Sequence, residues 1–174
     1  EIVLPLDVQR TQQAVQTLMH QKVDAIAVCF LFDFLNPTHE LEVERIAKSL
    51  NCQASIWLAH KILPEFREFE RLSTTVSNAA LGPVTKTYLT NLTARISELG
   101  CNRPPYIMQS SGGIMSPSRA IERPANTLFS GPSGGVIGGL HVAQLAGIKD
   151  IITLDMGGTS TDVCLIRNST VSMV

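Results

Sequence analysis

The chain has 174 residues, of which 44% are hydrophobic and 17% charged, enough apolar material for one domain or one and a half. Its formal net charge is -1 and it has no basic run, which argues against a surface that neutralises nucleic-acid phosphates. The longest apolar run, residues 25–32, is far shorter than the roughly 20 residues of a membrane-spanning helix. We therefore expect neither nucleic acid nor a bilayer as a partner.

The N-terminal third predicts two helix–strand pairs. Helical spacing of apolar residues over Val8–Met19 predicts a helix, and the apolar run Val23–Phe32 predicts a strand buried on both faces. A second helix is expected after Asn36-Pro37, with Thr38 as its N-cap. Residues 54–58 are short and apolar and predict a second strand.

A long helix and a third strand are predicted next. One apolar face over Thr75–Leu99 predicts a helix that bends at Gly82-Pro83 and ends at Gly100. The charged residues within Pro64–Arg71 predict a solvated, mutually paired face. Residues 105–109 predict a third strand, and alternating strands and helices predict an α/β fold with parallel pairing.

Two glycine-containing stretches follow the third strand. Ser110-Ser111-Gly112-Gly113 stands where a strand meets a cleft ligand, so contact with substrate or phosphate and a plain turn both remain open. Ser130–Gly139 opens a small-residue helix that ends near Gly147. Its N-terminus could bind phosphate. Close helix packing through its glycines is the alternative that we favour.

The C-terminal segment predicts an antiparallel meander. Residues 151–154 and 163–166 are apolar and strand-like, and a turn at 167–170 leads into a third strand at 171–174. Short strands joined by tight turns pair locally.

The turn between the first two of these strands predicts phosphate chemistry. An apolar strand delivers Asp155, which would hold Mg²⁺ through water, because that ion keeps several waters when it bridges a carboxylate and phosphates. Glycines accept positive φ and lack a Cβ, so backbone amides can turn toward an anion. The expected donors are two glycine amides and three hydroxyls: Gly157, Gly158, Thr159, Ser160 and Thr161. The alternative is a simple hairpin in which Asp155 and Asp162 only form the turn. The sequence contains neither a Walker A loop nor a dinucleotide-binding glycine motif.

Histidines and cysteines show no metal-ligand spacing. His60, at the end of the second predicted strand, is a candidate for substrate contact, although a structural or solvated side chain is the more common role for a single histidine. The cysteines lie far apart and predict reduced, buried thiols of a cytoplasmic protein: Cys29, Cys52, Cys101 and Cys164.

Five stretches together resemble the hydantoinase A / 5-oxoprolinase family, which includes acetone-carboxylase-like relatives. They are NPTHE (36–40), LPEFREFERLSTTVSNA (63–79), MQSSGGIMS (108–116), LFSGPSGGVIGG (128–139) and ITLDMGGTSTDVCLI (152–166). The resemblance covers nearly the whole chain. It departs at Ala59-His60-Lys61, where the family has Ser-His-Glu. Lys61 in the place of a carboxylate argues against a metal site there and marks either a different substrate or a degenerate site.

The resemblance implies an actin-like ATPase fold of two ribonuclease-H-like halves, each starting with a phosphate-binding hairpin. This chain would be incomplete: residues 1–128 form the rear of the first half, 129–149 the connecting helix, and 150–174 the start of the second half with its hairpin. The first hairpin is expected upstream of Glu1, which is not an initiator methionine, and most of the adenosine pocket beyond Val174.

The activity that the resemblance implies is ATP-dependent ring opening of a cyclic amide such as a hydantoin or 5-oxoproline. ATP with Mg²⁺ (or Mn²⁺) activates the carbonyl, and the protein contributes positioning and charge neutralisation. Asp155 is the implied catalytic and metal-binding residue. Two alternatives remain: an ATP-dependent carboxylase subunit of the acetone carboxylase type, and a non-catalytic actin-like nucleotide switch. A second hydantoinase-type subunit or domain and an oligomeric full-length protein are expected, and the isolated fragment is expected to be inactive.

Overall fold

The computed structural model describes residues 2–171. The chain forms two compact units. The first contains the residues up to Ala94 together with Ile121–Ala125, and the second contains Arg95–Ala120 together with the residues from Asn126 onward. We refer to them as the first and second units.

Six α-helices and seven strands are formed by the described residues, with a short 3-10 helix at Pro124–Thr127. The helices are α1 (Val8–His20), α2 (Thr38–Ser49), α3 (Ala59–Ile62), α4 (Glu68–Glu98), α5 (Pro117–Glu122) and α6 (Ser130–Leu145). The strands are β1 (Ala25–Val28), β2 (Ser55–Leu58), β3 (Ile107–Met108), β4 (Ile114–Met115), β5 (Ile151–Met156), β6 (Thr161–Arg167) and β7 (Thr170–Val171). None of the helices among residues 2–171 is both long and apolar enough to cross a membrane.

The first unit is built on a parallel pair of strands. β1 and β2 pair from Ala25 opposite Ser55 to Val28 opposite Leu58, which confirms the predicted parallel pairing. Their apolar side chains form a core with residues of α1 and α2: Val15, Ile26, Val28, Val43, Ala47 and Leu58. Strand β1 is shorter than predicted because the chain turns at residues 31–35, where Phe32 has a φ of 57°.

The N-terminus of α2 differs from the prediction. Thr38 is the first helical residue and not the N-cap. Asn36 provides the side-chain acceptor instead, because its Oδ1 lies 3.2 Å from the Thr38 amide and 2.6 Å from the Thr38 hydroxyl. An Asn two residues ahead can close such a local turn onto the backbone.

Helix α4 begins earlier than predicted and continues through Pro83. Its glycine serves close packing: a Cβ on Gly82 would lie 2.1 Å from Cζ2 of Trp57. Only a residue without a side chain allows this approach. The predicted end is confirmed, since Gly100 has a φ of 84° just beyond the helix.

The third predicted strand does not join the parallel pair. It is reduced to β3, which pairs antiparallel with β4, Ile107 opposite Met115. The reason is the tight turn between them: Gly112 has a φ of 83°, and the Gln109 amide donates to the Gly113 carbonyl at 2.8 Å. Such a turn can join only antiparallel strands, because a parallel pairing requires a long crossover.

The predicted antiparallel meander is confirmed. β5 pairs with β6 from Ile151 opposite Ile166 to Met156 opposite Thr161, and β6 pairs with β7. Both long strands extend further toward the turn than predicted, so Asp155 and Asp162 are strand residues directly opposite each other. Residues 172–174 of the predicted third strand lie outside the described residues.

Helix α6 packs closely on β5 at Gly139 and contacts β3 at Gly134, in keeping with the favoured alternative of close packing through its glycines. A Cβ on Gly139 would lie 2.9 Å from Cγ2 of Thr153, and one on Gly134 would lie 3.7 Å from Cε of Met108. Gly138 has open space beside it. Close helix packing therefore accounts for Gly139 but not for every glycine of the helix.

The cysteines confirm one part of the prediction and contradict another. All four are free thiols. Cys101 is exposed, however, and the other three are only half-buried. Cys101 lies in the loop just after α4, where the chain has left the apolar face of the helix.

Candidate functional site

The β5–β6 hairpin of the second unit places two carboxylates side by side. Asp155 and Asp162 form a directly opposed pair, and both residues are exposed. They share one face of the hairpin with Thr153 and Cys164, which are opposed one pair further along. This face is turned toward α6, because a Cβ on Gly135 would lie 3.9 Å from Oδ2 of Asp155.

Two like charges directly opposite on a sheet repel each other. A cation between them would offset this repulsion, and Mg²⁺ is typically bound by one or two carboxylates together with water and substrate phosphates. No group of three or more His, Cys, Asp or Glu side chains suited to a metal is present among residues 2–171. The pair of aspartates therefore fits a water-bridged Mg²⁺ and does not form an all-protein metal cage.

The two turn glycines behave differently from the prediction. Neither Gly157 nor Gly158 has a positive φ. The Gly157 amide donates to the Ser160 carbonyl at 2.9 Å, so it closes the turn and is not available to an anion. Local backbone hydrogen bonding thus leaves Gly158 as the glycine amide that can face a ligand.

No contact within the described chain requires glycine at position 158. A Cβ on Gly158 would meet no atom within 4 Å, and one on Gly157 would make ordinary contact with the Ser160 carbonyl at 3.7 Å. Neither φ nor packing within the described chain therefore explains Gly158.

A cavity of about 530 Å³ opens next to the aspartate pair, inside the second unit. Its polar wall includes Ser111 and Ser133 as well as both aspartates, and its apolar wall includes Ile137, Val163 and Val171. The structure thus brings Asp155 together with the predicted Ser110–Gly112 stretch. The turn residues 157–161 are not among the residues that line this cavity.

Most of the Ser110–Gly113 stretch has a local structural role. The Ser110 amide donates to the Asn126 carbonyl at 2.8 Å, and its hydroxyl lies near the Asn126 and Leu128 carbonyls. Gly112 is constrained by its positive φ and by Ile137, whose Cδ1 would lie 3.0 Å from an added Cβ. Gly113 accepts the hydrogen bond that closes the turn. Ser111 is the member of the stretch whose role the turn does not explain.

The first unit contains a buried polar cluster that the sequence did not predict. Five polar or charged residues are at most 2% exposed: Asp33, Glu40, Arg71, Thr75 and Asn78. Asp33 and Glu40 follow β1, and Arg71 and its neighbours lie on α4. One signal was available: Arg71, Thr75 and Asn78 recur at the three- and four-residue spacing of a single helix face.

Arg71 contradicts the prediction of a solvated charged face. Its Nε lies 3.2 Å from Oδ1 of Asp33, although the two atoms are not aligned for a hydrogen bond. The guanidinium also donates to the Glu65 carbonyl at 2.9 Å and to the Phe30 carbonyl at 2.6 Å. Burial next to a carboxylate and two carbonyls explains why this arginine leaves the surface. The exposed pair of Arg67 and Glu70, 3.5 Å apart, does behave as predicted.

His60 lies at the carboxyl end of β2 and is anchored by Glu40. Its Nδ1 is 2.5 Å from Oε2 of Glu40, whose carboxylate also accepts the Ala59 and His60 amides at 3.2 and 3.1 Å. Burial, and then a side-chain hydrogen bond between Glu40 and Asp33, raise the pKa of Glu40. Lys61 instead pairs with Glu44 at 3.6 Å.

The sequence pattern described as Hydantoinase/oxoprolinase matches residues 71–174, and that of the Hydantoinase/oxoprolinase N-terminal region matches residues 1–51. The chain therefore belongs to the hydantoinase/oxoprolinase family, and the resemblance seen in its motifs is confirmed.

Similar proteins include the caprolactamase subunit alpha of Pseudomonas jessenii, which is 37% identical over 94% of this chain and 23% of its own length. 5-Oxoprolinase 1 of Arabidopsis thaliana is 32% identical over 93% of this chain and 13% of its own length. The acetone carboxylase beta subunit of Xanthobacter autotrophicus is 30% identical over 94% of this chain and 23% of its own length. The chain thus spans a quarter or less of the curated relatives that it matches.

A solved structure supports the fold. The nucleotide-free structure of acetone carboxylase superimposes with a TM-score of 0.85 at 28% identity, over 96% of this chain and 24% of that chain. This match confirms the predicted α/β class and its relation to the actin-like ATPase fold.

Proposed function

We propose that this chain provides the phosphate-binding hairpin of an ATP-dependent enzyme that opens a cyclic amide such as a hydantoin or 5-oxoproline. The observation that carries the proposal is the opposed pair Asp155 and Asp162 beside a cavity and an otherwise unexplained glycine, Gly158. Family membership supports the reaction class. Relatives are named caprolactamase and 5-oxoprolinase, and caprolactam and 5-oxoproline are both lactams.

Each group of the hairpin has a defined role in this proposal. Asp155, opposed by Asp162, would hold Mg²⁺ (or Mn²⁺) through water. The Gly158 amide and the exposed hydroxyls that follow would donate to phosphate oxygens: Thr159, Ser160 and Thr161. Bound ATP supplies the phosphoryl group that activates the amide carbonyl. Phosphoryl transfer needs mainly positioning and charge neutralisation, which is what carboxylates, amides and hydroxyls provide here.

The predicted division of the chain is part of the proposal. Residues 1–128 would belong to the first half of an actin-like fold, 129–149 would connect the halves, and 150–174 would begin the second half. We propose a cytoplasmic enzyme, in keeping with its free thiols. A partner subunit is supported by relatives that are named as subunits, caprolactamase subunit alpha and acetone carboxylase beta subunit.

A carboxylase is the second candidate function. The observation that favours it is the superposition on acetone carboxylase with a TM-score of 0.85. The two candidates differ in the co-substrate: bicarbonate with a ketone for the carboxylase, and a lactam with water for the amidohydrolase.

The first test replaces Asp155 by Ala in the intact protein. We expect ATP hydrolysis in the presence of 5-oxoproline, hydantoin, or acetone with bicarbonate to fall at least about 100-fold, the scale of losing one group that stabilises transition-state charge. Asp150→Ala is the matched control, because Asp150 accepts a hydrogen bond from the Asn168 amide at the far end of the same hairpin. Normal ATP hydrolysis by Asp155→Ala would refute the proposed site.

The second test replaces Gly158 by Ala. The added Cβ meets nothing in the chain, so the melting temperature should not change. If phosphate lies against the turn, ATP affinity measured by calorimetry should fall about tenfold, equivalent to about 1.4 kcal/mol. Gly138→Ala, which also projects into open space, should leave affinity unchanged. Equal ATP affinity of all three proteins would place the phosphate elsewhere.

A further inference from the structure

We propose that His60 of the first unit is a catalytic base for the hydrolytic step and that buried Glu40 is its positioning residue. This inference rests on the proposed ring-opening function, in which ATP activates the amide carbonyl. It assigns to the first unit a second polar site, for the amide and its attacking water, in addition to the phosphate-binding hairpin of the second unit.

The geometry of the pair is that of an oriented acid–base histidine. Nδ1 of His60 lies 2.5 Å from the Glu40 carboxylate, which is itself fully buried. The imidazole is 17% exposed. No residue in the described part of the chain is hydrogen-bonded to its Nε2. A carboxylate that holds one ring nitrogen leaves the other free to exchange a proton, as in serine hydrolases.

The position of the pair in the fold also favours a site. β1 and β2 are parallel, and ligands of parallel sheets are bound beyond the carboxyl ends of the strands. His60 lies in α3, two residues beyond the end of β2, and Asp33 and Glu40 follow β1. These three titratable side chains thus follow the carboxyl ends of the two strands, where a ligand of a parallel sheet is bound.

The energetic cost of the cluster also argues for a function. Asp33 and Glu40 are both buried, and the pKa of Glu40 is raised by burial and then by a side-chain hydrogen bond with Asp33. Arg71 lies next to Asp33, whereas the Glu40 carboxylate accepts from two backbone amides and contacts Nδ1 of His60. Groups perturbed in this way by burial and by a like-charged neighbour concentrate at functional sites.

The proton transfer balances as follows. Nε2 of neutral His60 takes a proton from water while the water oxygen donates a lone pair to the activated carbonyl carbon. When the C–N bond breaks, its electron pair goes to the ring nitrogen, which takes the same proton from Nε2. The hydroxyl oxygen added from water then forms the new C=O bond and releases its remaining proton to solvent, which leaves an acyl phosphate. A second water molecule hydrolyses the acyl phosphate to a carboxylate and inorganic phosphate. The imidazole therefore returns to its starting state, and Glu40 holds Nδ1 throughout.

The test is His60→Asn in the intact protein. Asparagine keeps an N–H donor at the place of Nδ1 and removes Nε2, so a purely structural role is retained while the base is lost. We expect ring opening of 5-oxoproline or hydantoin to fall at least about 100-fold in kcat, the usual scale of general base catalysis, with the Kd for ATP within twofold. His20→Asn, at the exposed end of α1, is the control. Glu40→Gln should lower kcat and leave the KM for ATP unchanged.

Ring opening by His60→Asn within threefold of wild type would overturn the inference. If that variant unfolds, the wild-type protein provides the measurement. We expect 5-oxoproline to protect His60 from carbethoxylation by diethyl pyrocarbonate. Full ring-opening activity of protein that is carbethoxylated at His60 would also overturn the inference. Failure of the proposed function gives a different result: the wild-type protein itself then shows no amide-dependent ATP hydrolysis. That result would overturn this inference as well.

Discussion

The polar groups of the two units contrast in burial and in pairing. In the first unit Asp33, Glu40 and Arg71 are buried. Arg71 pairs with Asp33 and donates to a backbone carbonyl, and Glu40 accepts from two backbone amides. In the second unit Asp155 and Asp162 are exposed and face a charge of the same sign. Buried charges must be matched by the chain itself, whereas an exposed unmatched pair can be matched by a bound cation. In the first arrangement the chain itself supplies the counter-charge of Asp33, whereas the second is available for a ligand.

The largest effect that would test this contrast is expected from Arg71→Met. Removing the guanidinium leaves Asp33 buried without its counter-charge, which typically costs about 3–5 kcal/mol. Urea unfolding of the intact protein measures the free energy of unfolding. Arg67→Met is the matched control, because Arg67 forms an exposed ion pair with Glu70 of a kind worth about 0–1 kcal/mol. Equal losses in both variants would mean that burial of Arg71 does not matter.

A smaller loss is expected from Gly82→Ala. The new methyl group would lie 2.1 Å from the Trp57 ring, so helix or indole must move, at a cost of about 1–3 kcal/mol for overpacking. Thermal unfolding measures this loss of stability. Gly138→Ala should instead stabilise the protein by up to about 1 kcal/mol, because its methyl group enters open space beside a helix. Tolerance of alanine at position 82 would show that the contact with Trp57 is loose.

Removing a charge from the β5–β6 hairpin should increase the stability of the protein. Asp162→Asn removes one of two opposed charges, which we expect to stabilise the protein by about 0.2–1 kcal/mol in a chelator-containing buffer. With Mg²⁺ and ATP the gain should vanish, because the wild-type pair then binds its cation. Differential scanning fluorimetry with and without Mg²⁺–ATP compares the two proteins. A gain that persists with Mg²⁺–ATP would argue against a metal at this pair.

The most gradual effect is on the pH dependence of stability. The pKa of Glu40 is raised above its usual 4.5, mainly by burial, so the folded protein binds this proton more tightly than the unfolded chain. Stability therefore falls as pH rises from 4.5 toward the folded pKa and levels off beyond it. Glu40→Gln has no such proton to lose. The unfolding free energy of wild type minus that of the variant should thus decrease between pH 4 and pH 7, and a constant difference would show an unperturbed carboxyl.

Local pattern made the meander and helices α1, α2, α4 and α6 predictable, whereas the short helices α3 and α5 were not predicted. Apolar periodicity placed α1 to within one residue of its end, and Gly100 marked the end of α4 because a positive φ there suits glycine. The aspartates and glycines of the β5–β6 turn were also recognised from sequence. Their pairing was not, because the register that places Asp155 opposite Asp162 depends on how far the two strands extend toward the turn.

The sequence alone determined what depends on neighbours along the chain: helix periods, strand runs, the glycine turn and the family motifs. Tertiary structure alone decided which charges are buried. Arg71 belongs to a charged stretch, and only the position of α4 next to the loop after β1 brings Asp33 to 3.2 Å from it. The same holds for Glu40 and His60, twenty positions apart in sequence. Burial and long-range pairing depend on the packing of distant elements, which no local pattern encodes.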